Sequence, residues 1–279
     1  MISAVLSDFD RLWVGNQEPD LLEAALQVAR IGHPDLDSAA EIERVADLAV
    51  AARDRLAGSP NEQSALQRFN DYFFAELGFH GELLDYYHPR NSFVNVVLDR
   101  RSGIPITLAV LYMAIGQRAG LDFSGIGLPA HFVVRYEALE PAQRVYIDPF
   151  SGQLLPDHEA CRALVSRISG HEVRLAEDAF APQPARSMML RMLANLKGAY
   201  VGLQDFPMTV AALDRILILL PEEGHQWRDR GLLHYQLGNL RQASFDLARY
   251  LWLASEDDRR QNEAAGLLQR IHESLFTLN

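Results

Sequence analysis

The sequence predicts an α+β fold, with a helical first third, a short antiparallel sheet packed on a buried helix, and helical hairpins to the end. Three observations lead there. Apolar residues recur at helical spacing from about residue 20 to residue 77. Between residues 123 and 155 that spacing gives way to short β-branched and aromatic runs separated by turn pairs. Beyond Pro184 the helical spacing returns, and it repeats.

In the first third, Pro19–Asp20 opens a helix carrying Leu21, Leu22, Ala25, Leu26 and Ala29, which Gly32 and Pro34 close. Asp37–Ser38 opens a second, with Ile42, Val45, Ala46, Ala49 and Leu56 on one stripe before Gly58. A third, with Leu66, Phe69, Phe73 and Leu77, ends at Gly78. Ser59 is its expected cap, Pro60 its first-turn proline and Glu62 its favourable charge. A short helix follows over Ser92–Arg101, and Pro105 suits the first turn of another running from Ile106 to Ala119.

Strands are expected at Phe123–Gly127, His131–Tyr136, Arg144–Ile147 and Gln153–Leu155, with turns at Asp148–Pro149 and Ser151–Gly152. A helix at Asp157–Ile168 leads to Pro182–Gln183–Pro184. The domains are therefore expected at residues 1–184 and 185–279. In the tail, Trp227, Gly231, Leu237, Gly238 and Ala243 have the spacing of a tetratricopeptide unit, whose two helices cross at small residues. One repeat upstream, Leu193 answers Trp227, Tyr200 answers His234, Leu203 answers Leu237 and Thr209 stands at the Ala243 position, with Pro221 closing the unit. A last helix, Arg259–Leu275, is expected to cover the exposed end. A tail of two repeats and a cap is expected to dock on the domain before it.

The chain has 279 residues, 48% apolar and 23% charged, a globular balance. The single Cys161 excludes an intramolecular disulfide and a multi-cysteine zinc site, which fits a reducing, cytoplasmic setting. Cys161 lies beside Leu164 and Val165 on an amphipathic helix and is expected to be a buried apolar thiol. His80 and His88 are separated by eight positions with Pro89 next to the second, and no metal site is expected. Met1–Asp10 lacks the basic and apolar pattern of a secretory signal. The longest apolar run, Leu108–Ile115, is too short to span a bilayer.

The net charge is −11. Residues 186–279 hold 11 basic and 11 acidic side chains, so the excess lies in residues 1–185. Nucleic-acid affinity rests on phosphate neutralisation by Lys and Arg, so an acidic body excludes that partner class.

The segment Gly103–Ile104–Pro105–Ile106–Thr107–Leu108–Ala109 begins a helix, His131 opens a strand, and Asp148 closes another 17 residues later. A helix N-terminus activates a nucleophile by lowering its pKa, and an Asp orients a His on a neighbouring strand. In this frame the pattern resembles transglutaminase-core proteins, whose first motif reads Gly-x-Cys-x-x-x-Ala. Gly103 and Ala109 match it, the cysteine column falls on Pro105, and the His and Asp columns fall on His131 and Asp148.

More narrowly, the chain resembles the SirB-type bacterial family, in which such a domain precedes tetratricopeptide repeats. The shared phrases are Arg101–Ser102–Gly103–Ile104–Pro105–Ile106–Thr107–Leu108–Ala109, Gly127–Leu128–Pro129–Ala130–His131–Phe132 and Ile147–Asp148–Pro149–Phe150. The resemblance implies a papain-like helix-plus-sheet core after an N-terminal helical bundle, and a regulatory role.

Proline carries no nucleophile. Thr107 lies about 200° further round the helix and is expected to point away from the pocket. Three readings of the remaining pair stay open. His131 and Asp148 form a structural relic, or Pro105, Ile106, Thr107 and His131 line a pocket for a carboxylate or peptide, or His131 activates water. The expected function is a non-catalytic, regulatory or scaffolding protein-binding module, with a protein or peptide partner and no cofactor. The alternative is a cysteine-independent peptidase or amidase using His131 and Asp148.

Overall fold

A computed structural model describes residues 7–15, 18–137, 144–255 and 260–277. Residues 1–6 of the N-terminal stretch and Arg259 of the expected last helix lie outside these. The chain divides into two compact units, residues 1–192 and 193–279. The division falls inside the helix Ala185–Gly202. That helix's first turns are committed to the first unit, where Met188, Met189 and Met192 are buried.

The first unit opens with α1 (Asp8–Leu12), α2 (Leu21–Ala29), α3 (Ser38–Leu56) and α4 (Glu62–Asn70). Side-chain oxygens of Ser7, Asp20 and Asp37 cap the first three, filling amide donors that a helix leaves open. The cap of α4 is Asn61, not Ser59: Asn61 accepts from the Ser64 amide at 2.8 Å. Ser59 instead donates its hydroxyl to Leu56 O at 2.7 Å and so finishes the preceding turn. The helix then widens into a π-type turn over Asp71–Glu76, which buries Tyr72 and Phe73.

Helix α5 (Val94–Arg100) starts two residues later than the sequence suggests, because Pro89–Ser92 forms its own tight turn. Helix α6 (Pro105–Ala119) is the centre of the unit. Pro105 occupies its first turn and Gly120, at φ 102°, ends it. Every residue from Pro105 to Gly116 is buried. Phe69, Phe73, Tyr112 and Phe123 meet around it with ring centroids 4.8–5.8 Å apart for the Phe69–Tyr112, Phe73–Tyr112, Tyr112–Phe123 and Phe69–Phe123 pairs. Gly116 makes that approach possible, since a Cβ there would lie 2.3 Å from the Phe123 ring.

The sheet is an antiparallel meander of β3 (Phe123–Leu128), β4 (His131–Tyr136), β5 (Val145–Ile147) and β6 (Leu154–Leu155), in that order. Leu128 pairs with His131 across a two-residue turn at Pro129–Ala130. All six residues of β4 are buried, because both sheet faces are covered. One cover is a cluster of Ile126, Leu128, Val133 and Tyr146 with Cys161, Leu164 and Val165 of α7 (His158–Ser169) and Phe180. A parallel pair, β1 (His80–Gly81) with β2 (Ser102–Gly103), has no counterpart in the sequence reading.

The second unit holds the end of α8 (Ala185–Gly202), then α9 (Phe206–Leu219), α10 (Gly224–Gln236), α11 (Leu240–Leu253) and α12 (Gln261–Thr277). The small residues lie where the repeat needs them. Ala243 and Thr209 are fully buried, and a Cβ on Gly231 would lie 3.1 Å from Asp246 Cβ and 3.1 Å from Leu247 Cγ. Arg230 clasps buried Asp246 with two 2.8 Å hydrogen bonds and reaches Asp214 with a third at 2.7 Å. Ala264, Leu267 and Ile271 of α12 close the core made by Ala243, Leu247 and Tyr250.

Candidate functional site

The pleat and the meander bring the sequence-predicted pair together. His131 stands at the start of β4 and Asp148 just past the end of β5, and their register lets His131 Nε2 donate to Asp148 Oδ1 at 2.7 Å. Both side chains are nearly sealed from solvent, at 4% and 2% exposure. Asp148 Oδ1 also accepts from the Phe150 amide at 3.0 Å, and Oδ2 from the Ser151 hydroxyl at 2.6 Å. Burial pushes the Asp148 carboxyl up. The His131 hydrogen bond and charge, with the Ser151 hydroxyl and Phe150 amide, outweigh it and hold the group below its ordinary value of 3.8. An ionised Asp148 accepts the proton carried on Nε2 and so fixes the orientation of the ring.

The first turn of α6 supplies the other three candidates. Pro105, Ile106 and Thr107 are all buried, and the cap residue Ile104 gives the turn no side-chain hydrogen bond. No hydrogen bond joins any of the three to His131 among the described residues. Thr107 Oγ1 donates to Asn91 O at 2.6 Å and lies 3.1 Å from Ile104 O, so its hydroxyl is engaged within the fold.

Asn91, which the sequence did not single out, joins the first turn of α6, through its carbonyl, to the loop before it, through its side chain. Asn91 is fully buried and donates from Nδ2 to Asp85 O at 2.6 Å and Tyr86 O at 3.1 Å, while its Oδ1 accepts from Arg100 at 3.1 Å. Glu82 pins the start of the same loop. It accepts from Arg100 at 2.8 Å, from Ser102 and from the Leu84 and Asp85 amides, and these donors, Arg100 first, hold its carboxyl down to about 2. The loop so fixed sets the Tyr86 ring edge-on to Phe150 at 6.0 Å, and Phe150 edge-on to His131 at 6.3 Å. Phe150 in turn needs Gly81, where a Cβ would lie 2.5 Å from its ring.

Arg191 is the second residue the sequence did not single out. Its guanidinium donates to Leu128 O at 3.0 Å and to His131 O at 2.7 Å, bracing the turn that carries the histidine. Its carbon lies 5.6 Å from the Phe132 ring centroid. The signal in the sequence is slight: Phe150 lies in the Ile147–Asp148–Pro149–Phe150 phrase, but Tyr86, Asn91 and Arg191 lie in segments without a chemical pattern. Cys161 is fully buried, and burial pushes its thiol up to about 12. It is an inert member of the core. Among the described residues no group of three or more His, Cys, Asp or Glu side chains is placed to hold a metal ion, and no helix is long and apolar enough to cross a membrane.

A helix N-terminus, a strand-borne His and an Asp that orients it define a transglutaminase-like core. The transglutaminase-like superfamily model matches residues 39–194, and the tetratricopeptide repeat model residues 196–271. The chain belongs to the transglutaminase-like superfamily, and within it to the family of the bacterial UPF0162 proteins. It is 35% identical over 248 residues to the UPF0162 protein of Xylella fastidiosa, covering 86% of each chain. It is also similar to Protein SirB1 of Salmonella typhimurium, 24% identical over 233 residues with 84% and 85% covered. F-box only protein 21 of Homo sapiens is 28% identical over 196 residues, a match that covers 67% of this chain and 30% of that protein.

Proposed function

We propose that this protein is a non-catalytic member of its superfamily that binds a protein partner in a regulatory or scaffolding role. One observation supports this reading: α6 opens on Pro105, where the resembling motif carries its cysteine, and His131 is hydrogen-bonded to Asp148. A His–Asp pair polarises a nucleophile that is present; with proline there it has no thiol or hydroxyl to deprotonate. Cys161 offers no substitute, since its thiol is fully buried and stays protonated at neutral pH. The pair then serves to hold the β3–β4 turn against β5 and Phe150.

Tetratricopeptide repeats generally mediate protein–protein interaction, and this chain carries them in residues 196–271. The partner is a protein or peptide, engaged by the repeat surface or by the surface around His131. Purification of bound proteins from cells on the full chain, and on residues 1–192 and 193–279 separately, tests the reading. A stoichiometric complex that re-forms from purified components supports it. No complex with any of the three baits contradicts it.

A further inference from the structure

Arg191 presents a charge that no carboxylate among the described residues neutralises. Its two hydrogen-bond partners among the described residues are the carbonyl oxygens of Leu128 and His131, which are dipoles rather than charges. Among the described residues no carboxylate lies within ion-pair distance of it, in a chain whose net charge is −11. A partly buried guanidinium without a counter-ion is unfavourable, and burial pushes the group down from its ordinary value.

The guanidinium has five N–H donors in a fixed fork, and the two carbonyls take two of them. Three donors have no partner among the described residues. The half-buried Tyr86 lies within electrostatic reach of Arg191, and its hydroxyl has no hydrogen bond to the described residues. The Tyr86 ring leads through Phe150 to His131.

We propose that Arg191, bonded to the carbonyls of Leu128 and His131, anchors a binding site for a carboxylate group of a polypeptide ligand. The proposal deepens the protein-binding reading above and rests on it for the ligand being a polypeptide. A carboxylate fits better than a phosphate on charge. The site offers one cation, so a singly charged planar anion matches its fork where a dianion leaves a charge uncompensated. Peptide backbone flanking that carboxylate would meet the aromatic edges of Tyr86 and Phe150.

The test uses the full chain and defined probes: acetate, inorganic phosphate, and the tripeptide acetyl-Ala-Leu-Ala with a free or an amidated C-terminus. Binding is read by NMR from the Arg191 side-chain Nε–H signal and the His131 ring signals. The expected result is a saturable shift with acetate and with the free-acid peptide, and none with the amide. Arg191→Gln should abolish the His131 response, and Arg191→Lys, which keeps the charge without the fork, should weaken it about tenfold. Tyr86→Phe, which leaves the carbonyl braces intact, should weaken it while the melting temperature holds.

No saturable shift, an equal response to the amide, tighter binding of phosphate, or undiminished binding by Arg191→Gln would each overturn the site. A partner protein that still binds Arg191→Gln as well as the native chain would sink this proposal alone and leave the protein-binding reading standing.

Discussion

The helix crossing at Gly231 makes a prediction whose size follows from the coordinates. A Cβ at this position would lie 3.1 Å from Asp246 Cβ and 3.1 and 3.2 Å from Leu247 Cγ and Cδ2. Ordinary carbon contacts sit near 3.5–4.0 Å, so one methyl asks α11 to yield by roughly half an ångström. Alanine also favours the helix over glycine by about 1 kcal/mol, so Gly231→Ala should leave stability within about 1 kcal/mol of the native chain.

Leucine brings three further carbons into the same crossing. There Arg230 and Asp246 are locked by two 2.8 Å bonds and cannot shift without breaking them. Gly231→Leu should therefore destabilise by about 1–3 kcal/mol beyond the alanine variant. Urea unfolding followed by the fluorescence of Trp227, which packs on this core, reads the difference. An unchanged midpoint for Gly231→Leu would refute the crossing and with it the repeat register.

Other expectations bear on the buried polar groups. Asp246→Ala should cost about 3–5 kcal/mol, because it strands Arg230, which is 8% exposed and left with only the more exposed Asp214; a midpoint shift below that of Gly231→Leu would contradict it. Asp148 has a folded pKa below its ordinary 3.8, so its contribution is present above that value and is lost as pH falls through the folded pKa. The native chain should outlast Asp148→Asn on melting at pH 7, with the gap closing below pH 3.8, and a gap that widens in acid would refute the sign. Glu82→Gln should behave likewise, its deficit fading as pH drops from 4.5 towards about 2. Cys161, with its thiol at about 12, should resist iodoacetamide at pH 8 in the folded protein and react once unfolded, as mass spectrometry would show.

Periodicity made the long elements legible. The stripe through Ile42, Val45 and Ala49 predicts α3, and the β-branched Val133–Val134 pair predicts β4, both of which the structure contains. The His131–Asp148 contact was also within reach, since strand alternation and a fixed motif spacing leave little freedom for where they meet. What escaped was either too short to have a period or too distant to have a pattern. The parallel pair of His80–Gly81 with Ser102–Gly103 has two residues a side and is held by its partners. The α4 cap hinged on whether Ser59 or Asn61 took the role, and the Leu56 carbonyl decided it by claiming the Ser59 hydroxyl. Arg191 reaches the site from a helix 60 residues away from His131, and nothing local in its sequence marks it. Asn91 acts through carbonyls, which sequence does not distinguish from one another.

The central claim is that a His–Asp pair without its nucleophile no longer catalyses. It meets its most direct test in a turnover assay of the purified full chain, with His131→Ala as the comparison. Amine incorporation into a glutamine donor and hydrolysis of peptide amides should be measured together against a blank without protein. The account predicts that the native chain, His131→Ala and the blank give the same rates at every pH from 6 to 9. Turnover by the native chain that His131→Ala abolishes would contradict it, and would show that His131 activates water or another group in place of the missing cysteine.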